Sequence, residues 1–257
     1  MSSINNTLTK PDDDCLSANN LNRSAADLAL PTKIIVFDYS EDVNAVTLCM
    51  QAIFANTDLT NLDICLYTKK SHSDLAQVNW NLFTQQKINI YYNEYRSQGQ
   101  ITADLQESLI SYSGVILLDV RAIVASGWLA TIKQIATRED IAVVVSREIR
   151  HRNDRLAWDL VPYAMNANDI DIAISVEANS VLNPGFDESN FLVSLSRISL
   201  FCTYFKRDLF VKLDWQKLAT EDLSVWLTNI SDAVIHDHKM HLVYSPNVKV
   251  YHASIFN

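Results

Sequence analysis

The sequence predicts a single α/β domain: a mainly parallel central sheet flanked by helices. Short apolar runs recur along residues 33–146, each closed by polar or turn residues. Between them lie stretches of helical period, and strands alternating with helices build a parallel sheet through right-handed crossovers. The run Val115 to Leu118 is uninterrupted and bounded by Ser111, Ser113 and Gly114. An unbroken run of that length reads as a strand buried on both faces, the usual state in a parallel sheet.

The elements follow in order. Residues 1–30 are rich in Asn, Ser and Asp and read as a mostly disordered leader, with a helical turn at Ala25 to Leu30. The domain occupies residues 31–257. Lys33 to Tyr39 (KIIVFDY) is the first strand, and Asp42 or Asn44 caps a helix facing inward through Val46, Met50, Ile53 and Phe54. Leu62 to Thr68 is the second strand; Ser73 and Asp74 open a helix through Leu75 and Val78. Lys87 to Tyr92 is the third strand, followed by a loop to Gln100 and a helix from Thr102 to Ser111.

The stretch Gly114 to Leu129 (GVILLDVRAIVASGWL) is the centre of the pattern. Its strand ends on Asp119 and Arg121, charges that a buried strand does not tolerate in its middle. They therefore mark the C-terminal edge, where open α/β sheets bind ligands. A helix begins near Ser126 with Trp128, Leu129, Ile132 and Ile135 on one face. Ile141 to Ser146 is the fifth strand.

The second half is less regular. Trp158 to Asn168 reads as helix or loop, Asp171 to Val176 as a strand, and Asn183 to Glu188 as a turn holding Pro184 and Gly185. Ser199 to Tyr204 is apolar, and Lys206 to Val211 is helical. Thr220, Glu221 and Asp222 open a helix with Leu223, Trp226, Leu227 and Ile230 inward. The chain closes on Leu242 to Tyr244, Pro246, and Val248 to His252.

Composition narrows the function. No run approaches the roughly 18 apolar residues a membrane span needs, and the start MSSINNTLTKPDDD has no signal-peptide pattern. A cytoplasmic protein without a transmembrane segment is expected. A net charge of −9 argues against nucleic-acid partners. The basic run Arg147 to Arg155 reads as a solvated loop or helix face, or as a clamp for a phosphate-bearing ligand. Cys15, Cys49, Cys65 and Cys202 form no CxxC pair, so zinc spacing and a disulfide framework are absent, and the last three read as core residues. Four glycines are too few for the dinucleotide fingerprint or the P-loop. His236, His238 and His241 read as a metal cluster or as solvated loop residues, and Trp128 and Trp226 as core anchors.

The ordered pieces resemble the nucleotide-sugar-dependent glycosyltransferases of the GT-A fold, most closely family 2, across residues 31–254. The matching pieces are IIVFDYS with Tyr39 and Ser40, the Ser73–Asp74 turn, Gln98–Gly99 and the helix after it, and LLDVR with Gly127, Trp128 and Leu129. FCTYFKRDLF (residues 201–210), Thr220–Glu221–Asp222, and the ending from Tyr244 and Pro246 through Val250 to His252 complete the set.

The resemblance implies transfer of a sugar from a nucleotide sugar to a glycan or lipid-linked acceptor, with inversion, in surface polysaccharide synthesis and in association with other glycan-synthesis enzymes. Breaking the anomeric bond builds charge on a diphosphate. A divalent cation, Mn2+ or Mg2+, offsets that charge, and a carboxylate deprotonates the acceptor hydroxyl. The resemblance assigns Asp119 and His252 to the metal, Asp222 with Glu221 to the base, and Asp38, Tyr39, Asp74 and Arg121 to the donor. The alternative for Asp38 and Asp119 is helix capping or turn formation, and for Glu221 and Asp222 it is first-turn acids favoured by the helix dipole.

The chain departs from the family pattern in one pocket. Arg121 stands where a second metal carboxylate is expected, Ser40 replaces an Asn, and LYTKKS lacks an acid at the tip of the second strand. Two functions follow: a transferase whose Arg121 faces the diphosphate, or a domain without a metal clip that binds or scaffolds.

Overall fold

The structure, a computed structural model, describes residues 30–76, 78, 80, 88–92, 94–152, 155–158 and 193–253. The expected leader up to residue 29, the strand at 171–176 and the turn at 183–188 lie outside these residues, as does the stretch 159–168.

The first half follows the predicted alternation. Strand β1 (Thr32–Asp38) leads into α1 (Val43–Asn56), whose N-cap Asp42 accepts a bond from the Asn44 amide. Strand β2 (Leu62–Thr68) leads into the short α2 (His72–Leu75) and then β3 (Ile88–Tyr91). Helix α3 (Gln98–Leu105) starts earlier than the sequence predicts, because Ser97 and Gln100 form a capping box, and a 3-10 turn covers Gln106–Ser111. Strand β4 (Gly114–Asp119) is followed by β5 (Ala122–Val124), where a loop is expected. Gly127, at φ 76°, opens α4 (Trp128–Ile135).

The second half corrects several expectations. Strand β6 runs from Ile141 to Arg152, past the expected end at Ser146, and pairs with β7 (Arg155–Trp158). Residues 147–152 of the basic run are therefore strand and not helix, with Arg147 and Glu148 both 3% exposed. The short β8 (Val193–Ser194) precedes β9 (Cys202–Lys206), an apolar stretch that becomes a central strand. Helices α5 (Arg207–Lys212), α6 (Trp215–Leu218) and α7 (Leu223–Asp232) follow, then a π turn (Ala233–Asp237) and β10 (His241–His252).

The described strands form one sheet, ordered β3-β2-β1-β4-β9-β6-β10-β5, with β7 beside β6 and β8 beside β10. From β3 to β4 it is parallel, as predicted; beyond that it is mixed, because β9 runs antiparallel to both β4 and β6. Alternate residues of β1 feed two cores. Ile34 and Val36 pack with α1 and α4 through Met50, Ile53, Trp128 and Ile132. Ile35 and Phe37 face the other layer, with Phe205, Phe210, Trp215 and Trp226. Trp128 and Trp226 are core anchors, as read from the sequence, each sealed from solvent. No helix of the described residues is long and apolar enough to cross a membrane.

Candidate functional site

The chain leaves β1 toward β2 and β3 and returns to β4 on the other side of β1. The order of strands reverses there, and in open α/β sheets a crevice opens at that point beyond the strand ends. A cleft of about 340 Å³ occupies it. Its walls come from the end of β1 (Phe37, Tyr39, Ser40), the end of β4 (Asp119, Arg121) and Glu148 of β6. Gln98 at the start of α3, the loop 199–201, and Leu223 and Leu227 of α7 close it. The volume lies at the lower end of the range for small-molecule sites.

Asp119 and Arg121 form the charged centre of this cleft. Asp119 Oδ1 accepts from the Arg121 backbone amide at 2.8 Å and from Nε at 2.8 Å, while Oδ2 accepts from Nη2 at 2.7 Å. The fork is the planar, bidentate match of guanidinium to carboxylate. Side-chain exposures are 19% for Asp119 and 49% for Arg121. The bonds to Asp119 hold Arg121 above the ordinary guanidinium value, and the Glu148 charge adds to this. The Asp119 amide donates to Phe201 O at 3.0 Å, which ties the loop before β9 to the end of β4.

The residues expected to bind the donor divide. Tyr39 lines the cleft; its hydroxyl donates to Arg96 O at 2.8 Å and the Lys69 ammonium lies 4.8 Å from its ring centre. Burial pushes the Tyr39 phenol up, so it stays a hydrogen-bond donor. Asp38 lies behind the wall, fully buried. Lys70 Nζ donates to its two oxygens at 2.7 and 2.8 Å and to Ser40 O at 2.6 Å, and Thr68 Oγ1 donates at 2.7 Å. Its part is to fasten the exit of β1, and it makes no wall of the cleft. Asp74 closes the capping box of α2 with Ser71, the N-cap, so that the helix starts just ahead of Ser73; hydrogen bonds from Ser71 lower the Asp74 pKa.

Asp222 is the N-cap of α7, with Oδ1 accepting the Val225 amide at 2.9 Å, and Glu221 beside it is exposed. Both precede Leu223, a cleft residue. His252 stacks on Phe201, a cleft wall, with ring centres 5.7 Å apart. His236 sits on the π turn, His238 just after it and His241 at the start of β10, and none of the three lines the cleft.

Sequence reasoning missed Glu148 and Lys70. Glu148 hides in a run of charges that reads as solvated, although the continuous apolar run Ile141 to Val145 leads directly into it. Lys70 pairs with a residue on another strand, and one sequence carries no mark of such a pair.

No family model matches the chain, and no curated protein matches it. Solved structures do. A structure of GalNAc-T7 with UDP, GalNAc and Mn2+ superposes with a TM-score of 0.59 at 12% identity, covering 87% of this chain and 44% of that one. The mannosyltransferase PcManGT from Pyrobaculum calidifontis, with GDP-Man and Mn2+, gives a TM-score of 0.56 at 12% identity, covering 88% of this chain and 58% of that one. The fold is that of the GT-A glycosyltransferases. At this identity the likeness concerns the fold, and the chain spans about half the length of the structures it matches.

Both GT-A structures hold Mn2+. A hard divalent cation wants several oxygen ligands. Among the described residues no three His, Cys, Asp or Glu side chains come together as a cation site. Asp119, the expected ligand, gives both oxygens to Arg121. The described residues do not fit a divalent cation.

Proposed function

We propose that the chain is a glycosyltransferase domain that takes a nucleotide sugar in the cleft between the ends of β1 and β4. The observation that carries this is the position of the cleft at the reversal of strand order in a GT-A sheet, with Tyr39, Asp119 and Arg121 on its walls. The two similar structures hold UDP and GDP-Man, which supports a nucleoside diphosphate as the donor handle.

In this reading Tyr39 and Arg121 contact the donor. Asp222, with Glu221 beside it, takes the proton from the acceptor hydroxyl; its Oδ2 serves as base while Oδ1 caps α7. Direct displacement gives inversion at the anomeric carbon. His252 supports the cleft through Phe201, while Asp38 and Asp74 act through the loops they fasten. The acceptor is a glycan or a lipid-linked sugar, and the setting is surface polysaccharide synthesis in the cytoplasm, alongside other enzymes of that route. Release of UDP or GDP from a panel of nucleotide sugars tests the activity. Turnover that Asp222→Asn abolishes while binding persists supports the assignment, whereas full activity in that variant rejects Asp222 as base.

A second reading has its own observation. With Asp119 bound by Arg121 and Asp222 engaged as a cap, the domain would bind without turning over and serve as a binding or scaffolding module. Nucleotide binding with no release from any donor favours this module.

A further inference from the structure

We infer that the cleft works without a divalent cation, and that the charge standing in its place is the guanidinium of Arg121. The part concerning a diphosphate ligand rests on the nucleotide-sugar reading; the part concerning the metal rests on the side chains alone.

Three relationships carry the inference. Asp119 is engaged on both oxygens: the backbone amide and Nε of Arg121 donate to Oδ1 and Nη2 donates to Oδ2, at 2.7 to 2.8 Å. A divalent cation would have to break a bidentate, charge-assisted pair and then sit beside a fixed positive charge, with no third ligand near among the described residues. Secondly, Arg121 lines the cleft with its side chain half exposed, so the cation is presented to a ligand. Nε and Nη2 face Asp119, which leaves the Nη1 edge to receive an anionic oxygen. Thirdly, β4 ends at Asp119 and the chain turns before β5, and that turn brings residue 121 back onto the Asp119 carboxylate, backbone amide and side chain both. A carboxylate at position 121 would therefore join Asp119 as a clip, and the arginine removes it.

The charges also set the strength. Arg121 brings a positive charge to the cleft walls, where the carboxylates are Asp119 and Glu148. A diphosphate is then held by hydrogen bonds to one guanidinium, more weakly than by a doubly charged ion, and its binding weakens as salt rises.

The test uses the whole chain. Mn2+ alone is titrated into the wild type and Arg121→Asp, with Arg121→Asn as a second variant should the first fail to fold. UDP and GDP are then titrated into the wild type and Arg121→Gln, with and without Mn2+. The wild type is expected to take up no Mn2+ at millimolar concentration, and Arg121→Asp to bind it. Nucleotide affinity is expected to be the same with and without Mn2+ and to fall roughly tenfold or more in Arg121→Gln. Uptake of Mn2+ by the wild type as tight as by Arg121→Asp overturns the inference, as does a nucleotide affinity that needs Mn2+ or ignores the loss of Arg121. If no form binds a nucleotide, the nucleotide-sugar reading falls with Arg121's role toward it, while the titrations with Mn2+ alone still decide the metal.

Discussion

Lys70 and Asp38 meet in the floor behind the cleft, the ammonium donating to both carboxylate oxygens at 2.7 and 2.8 Å. Lys70 also donates to Ser40 O, so one buried cation joins the end of β2 to the chain leaving β1, where Tyr39 and Ser40 begin the cleft wall.

Removing either partner leaves the other charge buried. Lys70→Met is expected to destabilise the domain by about 3–5 kcal/mol. Asp38→Asn combined with Lys70→Met should recover part of that loss. Urea unfolding of the single and double variants checks this. A loss under about 1 kcal/mol in Lys70→Met would show that the pair adds little beyond a surface contact.

Gly114 begins β4 against Tyr204 of the neighbouring β9. A Cβ there would lie 2.3 Å from the Tyr204 ring, closer than real contacts allow. Gly114→Ala should therefore cost about 1–3 kcal/mol through overpacking. The same substitution at Gly127 meets no atom but is strained by its φ of 76°, and should cost about 1 kcal/mol. Unfolding midpoints of the two variants separate collision from strain.

Glu148 is a second carboxylate, with a formal negative charge, on the cleft wall beside Asp119. Glu148→Gln keeps the shape of the side chain and removes that charge, so nucleoside diphosphates should bind more tightly, by roughly three- to tenfold. Titration of UDP and GDP into the variant measures it. Weaker binding would mean that Glu148 holds the ligand or orients Arg121.

Burial pushes the thiols of Cys65 and Cys202 up to about 12. Both are raised in the folded state, so their stabilising effect is complete below the ordinary thiol value and is lost as pH climbs toward 12. Unfolding midpoints should fall steadily from about pH 9 upward. The double variant Cys65→Ala, Cys202→Ala should lessen the slope without removing it, because burial also lifts the Tyr244 phenol to about 12. An unchanged slope would place the alkaline loss elsewhere.

How much was legible in the sequence depended on whether a signal was local. Strands β1, β2 and β4 were readable because apolar runs end on charges, and Asp119 followed as the residue at a strand tip. Asp42 showed as a cap because it precedes a helical period, whereas Asp222, expected as a base or within the first turn, is the N-cap just before it. Non-local features escaped. Strand β9 joins the middle of the sheet antiparallel, a matter of pairing with β4 and β6 that its own residues do not reveal. Strand β6 carries Arg147 and Glu148 into the interior because β10 runs beside it, whereas charge density alone reads as solvated surface. The departure at Arg121 was visible, and the sequence left two fates open for it; the fork with Asp119 is the geometry that joins them.

The central claim is that the cleft receives a nucleoside diphosphate through Arg121. Calorimetric titration of UDP and GDP into the wild type and Arg121→Gln, at low and high salt and without added metal, tests it most directly. Saturable binding of one nucleotide to the wild type, weakened by salt and lost or strongly reduced in Arg121→Gln, is the predicted result. No heat of binding from either nucleotide to the wild type, with or without Mn2+, would contradict it.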